Sequence, residues 1–468
     1  MKLSLAEIIK VTKAELKNSA LSDNVYVSNV LTDTREDLTG ALFIALKGEN
    51  FDAHNFLINA QNAGAAAICI NQSTAPELYQ EIKVPLILVE DTLLAYQKIA
   101  NFYRKSFKDL TVIAITGSVG KTSTKDILKT IGIKKFGEEA VLYTLGNTNN
   151  QIGVPQNLFR LNEKCRLAVI EMGTNHFGEI LPLSLCAEPD HAIINSVAPC
   201  HLENLISLEG VAKEKSEVFA GVKAGGYAIF PCDIPHREIL AEKAKKYSLK
   251  IKTYGKFSET NSFSAEYLSG DLMGSSFKLI NHEQPNETIV NWNLSGEHQS
   301  FNASGAAVIG KLIGLSDSEI AEALAGVVLS GMRMKKTVFN GVTYLNDAYN
   351  ANPASMRATL KNLRDIADKR RVVLLLGDML ELGTDEIIQH TQILQYAKEN
   401  LPEATIIAVG PLMKKGGEAL DFASEIIFVG NSLIATDKLK ELDNNNLLIF
   451  LKGSRGMKLE QAIPMEAR

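Results

Sequence analysis

Ile113-Ala114-Ile115-Thr116-Gly117-Ser118-Val119-Gly120-Lys121-Thr122-Ser123 is an apolar run that passes through a glycine turn into a helical pattern. Strand, glycine loop and helix in that order are the setting of a phosphate loop. Glycines let backbone N–H groups turn toward phosphate oxygens and the helix N-terminus adds positive potential. Lys121 can then reach the terminal phosphates, and Thr122 can ligate Mg²⁺. A full Walker pattern places a further glycine five positions before Gly120, where Ile115 stands, so the motif is a shortened GxxGKT. The plain alternative is a tight turn with a solvated lysine. The flanking strand and helix favour a nucleotide.

Outward from the loop, the runs Thr111–Thr116, Leu167–Met172, His191–Val197 and Gly226–Phe230 read as buried parallel strands separated by helices, which predicts a doubly wound sheet. Glu171 follows the apolar residues Leu167-Ala168-Val169-Ile170 of one of them, where the acid of a metal–nucleotide site usually stands. Residues 255–300, richer in Ser, Asn, Thr and Gly, read as an antiparallel or loop-rich appendage. Before the loop, Ala41–Leu46, Ala65–Ile70 and Pro85–Val89 alternate with helical stretches, the last being Leu93–Lys105. After it, Val342–Asn346, Val372–Gly377, Ile406–Gly410, Ile426–Val429 and Leu447–Leu451 form a third α/β pattern. The expected architecture is α/β in three domains, 1–107, 108–326 and 327–468. The first is small, the second carries a mostly parallel sheet around the phosphate loop, and the third is Rossmann-like.

Composition agrees with a globular chain of that size. Its 468 residues carry 49 Lys+Arg against 54 Asp+Glu, a net charge of -5, with 46% hydrophobic residues. Five cysteines without a close pair predict a reducing, cytoplasmic setting and neither a zinc knuckle nor a disulfide framework. The N-terminus MKLSLAEIIKVTKAEL, broken by Glu7 and Glu15, reads as neither signal peptide nor anchor, and no run of 18 apolar residues occurs. Mild acidity and a single Trp exclude the usual footprint of a nucleic-acid binder. No coiled-coil seam is present, so a monomer is expected. Asn-Lys-x-Asp, which a GTPase would use for guanine, is missing, and His236-Arg237-Glu238 lacks the Asp of a kinase catalytic loop. ATP-dependent transferases and ligases remain.

Four further clusters are dense in polar side chains: Gly146-Asn147-Thr148-Asn149-Asn150-Gln151, Ala198-Pro199-Cys200-His201-Leu202-Glu203 with Lys213, Glu214, Lys215 and Glu217 soon after, Gly296-Glu297-His298-Gln299-Ser300-Phe301-Asn302, and Asn346-Asp347-Ala348-Tyr349-Asn350-Ala351-Asn352-Pro353. Bland readings are, in turn, an Asn-rich turn, a salt-bridged helix, a structural pair four residues apart on a helix, and an elaborate N-cap.

Together with Asp33-Thr34-Arg35, Gly40 to Gly48, Phe51-Asp52-Ala53-His54, Leu376-Gly377-Asp378-Met379-Leu380-Glu381-Leu382-Gly383 and Lys452-Gly453-Ser454-Arg455-Gly456-Met457, these strings make the whole chain resemble the ATP-dependent Mur ligases of peptidoglycan synthesis. The resemblance is close to their branch that adds D-alanyl-D-alanine to UDP-N-acetylmuramoyl-tripeptide. Thr34 and Ala53 stand where that family more usually has Ser and Gly. The Asp-Asn-Pro-Arg of the ligase adding the third peptide residue does not occur, and folylpolyglutamate synthases share the loop without this Asn-rich turn.

The resemblance implies a uridine-nucleotide domain, an ATP-binding domain and an acceptor-binding domain in that order. It implies ATP held by Gly117, Ser118, Val119, Gly120, Lys121, Thr122 and Ser123, adenine near His298 and Asn302, and Arg333 and Asp347 on phosphate and ribose. Two Mg²⁺ ions are expected, one at Thr122 and Glu171, the other at His201 and at Lys215 carrying a carbamate. By composition alone Lys213 is as good a candidate as Lys215. Thr34, Arg35 and Lys47 would serve the uridine nucleotide, Thr148, Asn149 and Asn150 the muramyl peptide, and Tyr349, Asn350 and Asn352 the dipeptide. The implied reaction phosphorylates the tripeptide carboxylate with ATP and lets the dipeptide amine displace phosphate.

Overall fold

Parallel strands covered on both faces need apolar residues at every position, and the phosphate-loop strand Thr111–Thr116 shows why. Val112 and Ala114 point into one apolar cluster, Ile113 and Ile115 into another on the opposite face. In this computed structural model, which describes residues 1–18, 25–442 and 446–467, that strand lies between Leu167–Glu171 and His191–Ile194. The complete sheet has nine strands. From one edge they run Asn286–Trp292, Gly274–Asn281, Phe263–Asp271, Lys250–Gly255, Tyr227–Pro231, His191–Ile194, Thr111–Thr116, Leu167–Glu171 and Val141–Tyr143. From the phosphate-loop strand the chain first builds toward Val141–Tyr143 and then crosses to His191–Ile194. The loop therefore leaves the sheet where the winding reverses, the place at which open α/β sheets bind ligands.

The segment after residue 255 is antiparallel, as expected, and it extends the same sheet: Phe263 pairs in parallel with Tyr254, and the next two strands follow as hairpins. Two parallel strands of this sheet lie outside the sequence reading. Val141–Tyr143 is short, and Lys250–Gly255 interleaves lysines with its apolar residues, so neither forms an apolar run.

The third sheet runs Lys335–Phe339, Val342–Asn346, Leu447–Lys452, Arg371–Gly377, Thr405–Val409 and Ile426–Val429, with only the first pair antiparallel. The first sheet runs Glu15–Lys17, Leu86–Val89, Ala67–Asn71, Leu42–Ile44 and Val30–Leu31. Its two faces differ in fate. Phe43, Ile68, Ile70 and Leu88 form a local core, whereas Leu42, Ile44, Cys69 and Ile87 join the apolar cluster of the middle sheet.

The helix Thr92–Lys105, capped by Asp91 through the Leu94 amide, is the bridge. Tyr103 donates its hydroxyl to the Leu161 carbonyl at 2.7 Å, and the buried Arg104 donates to the Ala187 carbonyl at 2.9 Å and pairs with Asp190 at 3.3 Å. Packing thus runs unbroken past residue 107 into the middle sheet.

Candidate active site

Gly120, at φ +87°, is the N-cap of the helix Lys121–Phe136, a conformation that glycine adopts without strain. A Cβ there would also lie 3.0 Å from Asn302 Oδ1. The amides of Ser118 and Val119 are donated to the Ser196 carbonyl (3.0 Å) and hydroxyl (2.8 Å). The donors that could meet a phosphate are therefore the amides of the first helical turn, which have no intrahelical acceptor. Lys121 Nζ donates to the Gly117 carbonyl at 2.6 Å and so lies folded over the loop.

A chain of side chains leads away from Thr122. Its hydroxyl donates to Glu171 Oε2 at 2.9 Å, and the other carboxylate oxygen accepts from Asn149 Nδ2, also at 2.9 Å. Asn149 fits only because Gly173 has no side chain: a Cβ there would come 2.9 Å from Asn149 Oδ1. From the third sheet's side, Arg333 donates to Thr122 Oγ1 at 3.0 Å and its guanidinium lies 3.9 Å from the centroid of the Tyr349 ring. Hydroxyl and carboxylate oxygens are the donors a hard cation such as Mg²⁺ takes, so Thr122 and Glu171 fit one. Among the described residues no group of three His, Cys, Asp or Glu side chains converges as a metal shell.

Lys213 and Lys215 differ in burial. Lys213 is exposed and paired with Glu209 at 2.6 Å, whereas Lys215 is 2% exposed. Burial pulls its amine down to about 8, against a raising influence of Cys200 and a further lowering by Lys121. A buried amine beside the phosphate-loop lysine, with its cationic form disfavoured, suits carbamate formation. His201, in the left-handed region at φ +50°, places Nδ1 2.5 Å from the Glu381 carboxylate. The close imidazole holds the Glu381 carboxyl below its usual range.

His298 and Asn302 occupy the start of the helix Glu297–Leu312. Asn302 accepts from Asn195 Nδ2 at 3.3 Å, and Asn195 also donates to Thr124 on the phosphate-loop helix. Burial drives His298 down to about 4, with Asp347 opposing and Lys452 reinforcing the shift. Asp347 is paired with the buried Lys452 and accepts from the Met334 amide at 3.3 Å. Asn195 and Lys452 are absent from the sequence reading's site. Lys452 carries two signals, its place at the end of an apolar strand and at the head of the string Lys452 to Met457, and Asn195 has none.

Other expected residues shape their turns. Asn150 Oδ1 accepts from the amides of Ile152 (3.2 Å) and Gly153 (2.9 Å), Thr148 donates to the Leu145 carbonyl at 2.7 Å, and Asn350 Oδ1 accepts from the Ala351 amide at 2.9 Å. Asn352 caps the helix Pro353–Ile366 through the Ser355 amide, so the N-cap reading of this cluster holds for that side chain. Thr34 precedes Arg35, whose exposed guanidinium pairs with Asp33 at 2.5 Å and holds that carboxyl at about 2; Lys47 lies 3.5 Å from Asp52. Among the described residues no hydrogen bond or ion pair joins Thr34, Arg35 or Lys47 to the phosphate-loop group.

Two family models match the chain: the Mur ligase middle domain over residues 115–310 and the Mur ligase, glutamate ligase domain over residues 332–455. The UDP-N-acetylmuramoyl-tripeptide–D-alanyl-D-alanine ligase of Haemophilus influenzae is 32% identical, covering 99% of this chain and 98% of that protein. The ligase of the same name from Bacillus subtilis is 33% identical over the same shares. Among solved structures, MurF from Acinetobacter baumannii superposes with a TM-score of 0.89 at 28% identity, covering 99% of this chain and 98% of that one. Full-length identity above 30% and a shared three-sheet fold agree with the phosphate loop and its acid: the chain belongs to the Mur ligase family.

Proposed function

We propose that this ligase joins D-alanyl-D-alanine to UDP-N-acetylmuramoyl-tripeptide at the expense of ATP, releasing ADP and phosphate and completing the muramoyl-pentapeptide of peptidoglycan. The observation that carries the chemistry is the Thr122–Glu171–Asn149 chain at the mouth of the phosphate loop, with Arg333 reaching it from the third unit. Relatives bearing the name of this reaction, aligned over nearly the whole chain, support the choice of substrates.

A carboxylate is a poor electrophile, so ATP first converts the tripeptide carboxylate to an acyl phosphate. The amine of the dipeptide attacks its carbonyl carbon, and the C–O bond to phosphate breaks as the amide forms. Lys121 and the amides of the first helical turn hold the β- and γ-phosphates, and Arg333 adds positive charge on the far side. Thr122 and Glu171 would hold one Mg²⁺, and His201 with a carbamate on Lys215 a second; bound there, the metals neutralise charge developing on the transferred phosphoryl group. Asn149 and Asn150 face the muramyl peptide, Tyr349, Asn350 and Asn352 the dipeptide, and Thr34, Arg35 and Lys47 the uridine nucleotide. His298, Asn302 and Asp347 serve adenosine. Acyl phosphates hydrolyse, so closure of the third unit over the second protects the intermediate.

In this reading residues 1–107 bind the uridine nucleotide, 108–326 ATP and 327–468 the acceptor. The protein works in the cytoplasm, where the nucleotide substrates are made. A monomer suffices for it, because loop and arginine come from one chain. Among the described residues no helix is long and apolar enough to cross a membrane.

Phosphate release with Mg·ATP and UDP-N-acetylmuramoyl-tripeptide tests the reading, with D-alanyl-D-alanine compared against D-alanine, L-lysine and L-glutamate. Release that depends on the dipeptide, with a matching mass gain in the nucleotide product, is expected from a lysine- or diaminopimelate-containing tripeptide. Release driven by another acceptor instead would assign the chain to a sibling ligation.

A further inference from the structure

Asp126 is a buried carboxylate that the chemistry above does not use. It stands one helical turn after Thr122 on Lys121–Phe136, so the two side chains share a face, and it is only 3% exposed. Such a group is retained only where partners replace its water. One partner is local: Lys125 Nζ lies 3.2 Å from Oδ1. The other comes from 204 residues away, where the backbone N–H and the hydroxyl of Ser330 both donate to Oδ2 at 2.8 Å.

Ser330 belongs to the linker between the helix Asp317–Ala325 and the strand Lys335–Phe339, the passage from the middle unit to the third. Its carbonyl accepts from Arg333 Nη1 at 3.1 Å, while Nη2 of the same guanidinium donates to Thr122 Oγ1 at 3.0 Å. Asp126, Ser330, Arg333 and Thr122 therefore close a circuit along one turn of the phosphate-loop helix. Gly331 makes the bend possible: its φ is +72°, and a Cβ there would lie 3.2 Å from Arg333 Nη1.

We propose that Asp126 is a positioning residue for the ligation, clamping Ser330 to the phosphate-loop helix so that Arg333 is held on Thr122 at the loop. Ser330 is thus a pinned point of the linker, and the carboxylate that pins it acts only through Arg333. This rests on the ligation reading above.

The test is a double-mutant cycle on the full chain in the same phosphate-release assay. Asp126→Ala and Ser330→Ala should each lower kcat about tenfold while KM for ATP stays within about twofold, and neither should lower the rate further in an Arg333→Ala background. Losses that add to that of Arg333→Ala, or an unchanged kcat, would overturn the role. Asp126→Ala leaves Lys125 buried without its partner. If it does not fold, Ser330→Ala decides the cycle alone, because it removes one of the two linker donors to Asp126 and leaves the helix intact. Hydrogen exchange supplies a readout free of substrate. Loss of the clamp in Asp126→Ala should speed amide exchange in residues 327–334 about tenfold relative to wild type, its loosening in Ser330→Ala, which keeps the Ser330 amide on Asp126, at least about threefold, and equal rates would overturn it. Failure of the wild-type protein to ligate would count against the proposed function, while the exchange experiment would still judge the clamp.

Discussion

Thr122 and Glu171, 49 residues apart in the chain, meet through a 2.9 Å hydrogen bond from hydroxyl to carboxylate at the mouth of the phosphate loop. Two parallel strands side by side bring them together: Leu167–Glu171 pairs with Thr111–Ile115, and the loop continues from the end of that strand. Glu171→Gln keeps the shape and removes the charge. It should cut ligation at least about a hundredfold at saturating substrate, with the protein still folded. Wild-type turnover by Glu171→Gln would remove the carboxylate from the reaction, and full ligation by Lys121→Ala would do the same for the loop lysine.

The buried amine of Lys215 is expected to act as a carbamate. Lys215→Ala should lose ligation at least about a hundredfold, unrelieved by high bicarbonate, because the nitrogen that captures CO₂ is gone. A small carboxylic acid filling the vacated space should restore part of the rate. Lys213→Ala, on the exposed side of the same helix, should stay near wild type. Wild-type rates from Lys215→Ala would end the assignment.

His298 makes stability depend on pH in a defined direction. Burial lowers it in the folded chain from 6.5 to about 4, so between those values the unfolded chain binds a proton that the native site refuses. Stability should therefore fall as pH drops through that window and be fully present above it. Asp347, Lys452 and Glu297 are the charged groups acting on the ring. Urea unfolding of His298→Gln at neutral pH and near the lower value should show a smaller loss on acidification than wild type; an equal loss would place the acid sensitivity elsewhere.

Arg104 ties the first sheet's helix to the middle unit with its guanidinium 3% exposed, and Asp190, which it meets, also accepts from the Val112 amide at 2.7 Å. Arg104→Ala leaves that carboxylate without one of its cations and the Ala187 carbonyl without its donor. A loss of about 3 kcal/mol in unfolding free energy is expected. Denaturant melts measure it, and a loss below about 0.5 kcal/mol, the range of ordinary surface changes, would show that the contact carries little.

Legibility in the sequence followed the range of the interaction. The strands Thr111–Thr116, Val342–Asn346 and Ile426–Val429 have the limits read from their apolar runs; the first two are buried almost throughout, whereas the third, at the sheet edge, leaves Ile427 and Phe428 half-buried. Lys250–Gly255 and the edge strand Lys335–Phe339 escaped, since lysine stems can lie along a sheet while their charges stay in water. In the site, Lys121, Thr122 and Glu171 were visible through their place after strands. Asn195, Asp126 and Ser330 were not, because a lone polar residue carries no mark of the partner it will meet, and Lys452, though it heads a family string, showed nothing of its pairing with Asp347.

By itself the sequence determined the phosphate loop, the strand before it and the helix after it, because glycine's freedom at positive φ and the apolar demand of a covered strand are local properties. It also determined the family, through strings spread over the whole chain. Only the tertiary structure decided that Lys215 and not Lys213 is buried, that Arg333 reaches Thr122, and that Asp126 holds the linker at Ser330. Those outcomes depend on which surfaces close against each other, and burial and long-range pairing are set by packing among residues up to 211 positions apart.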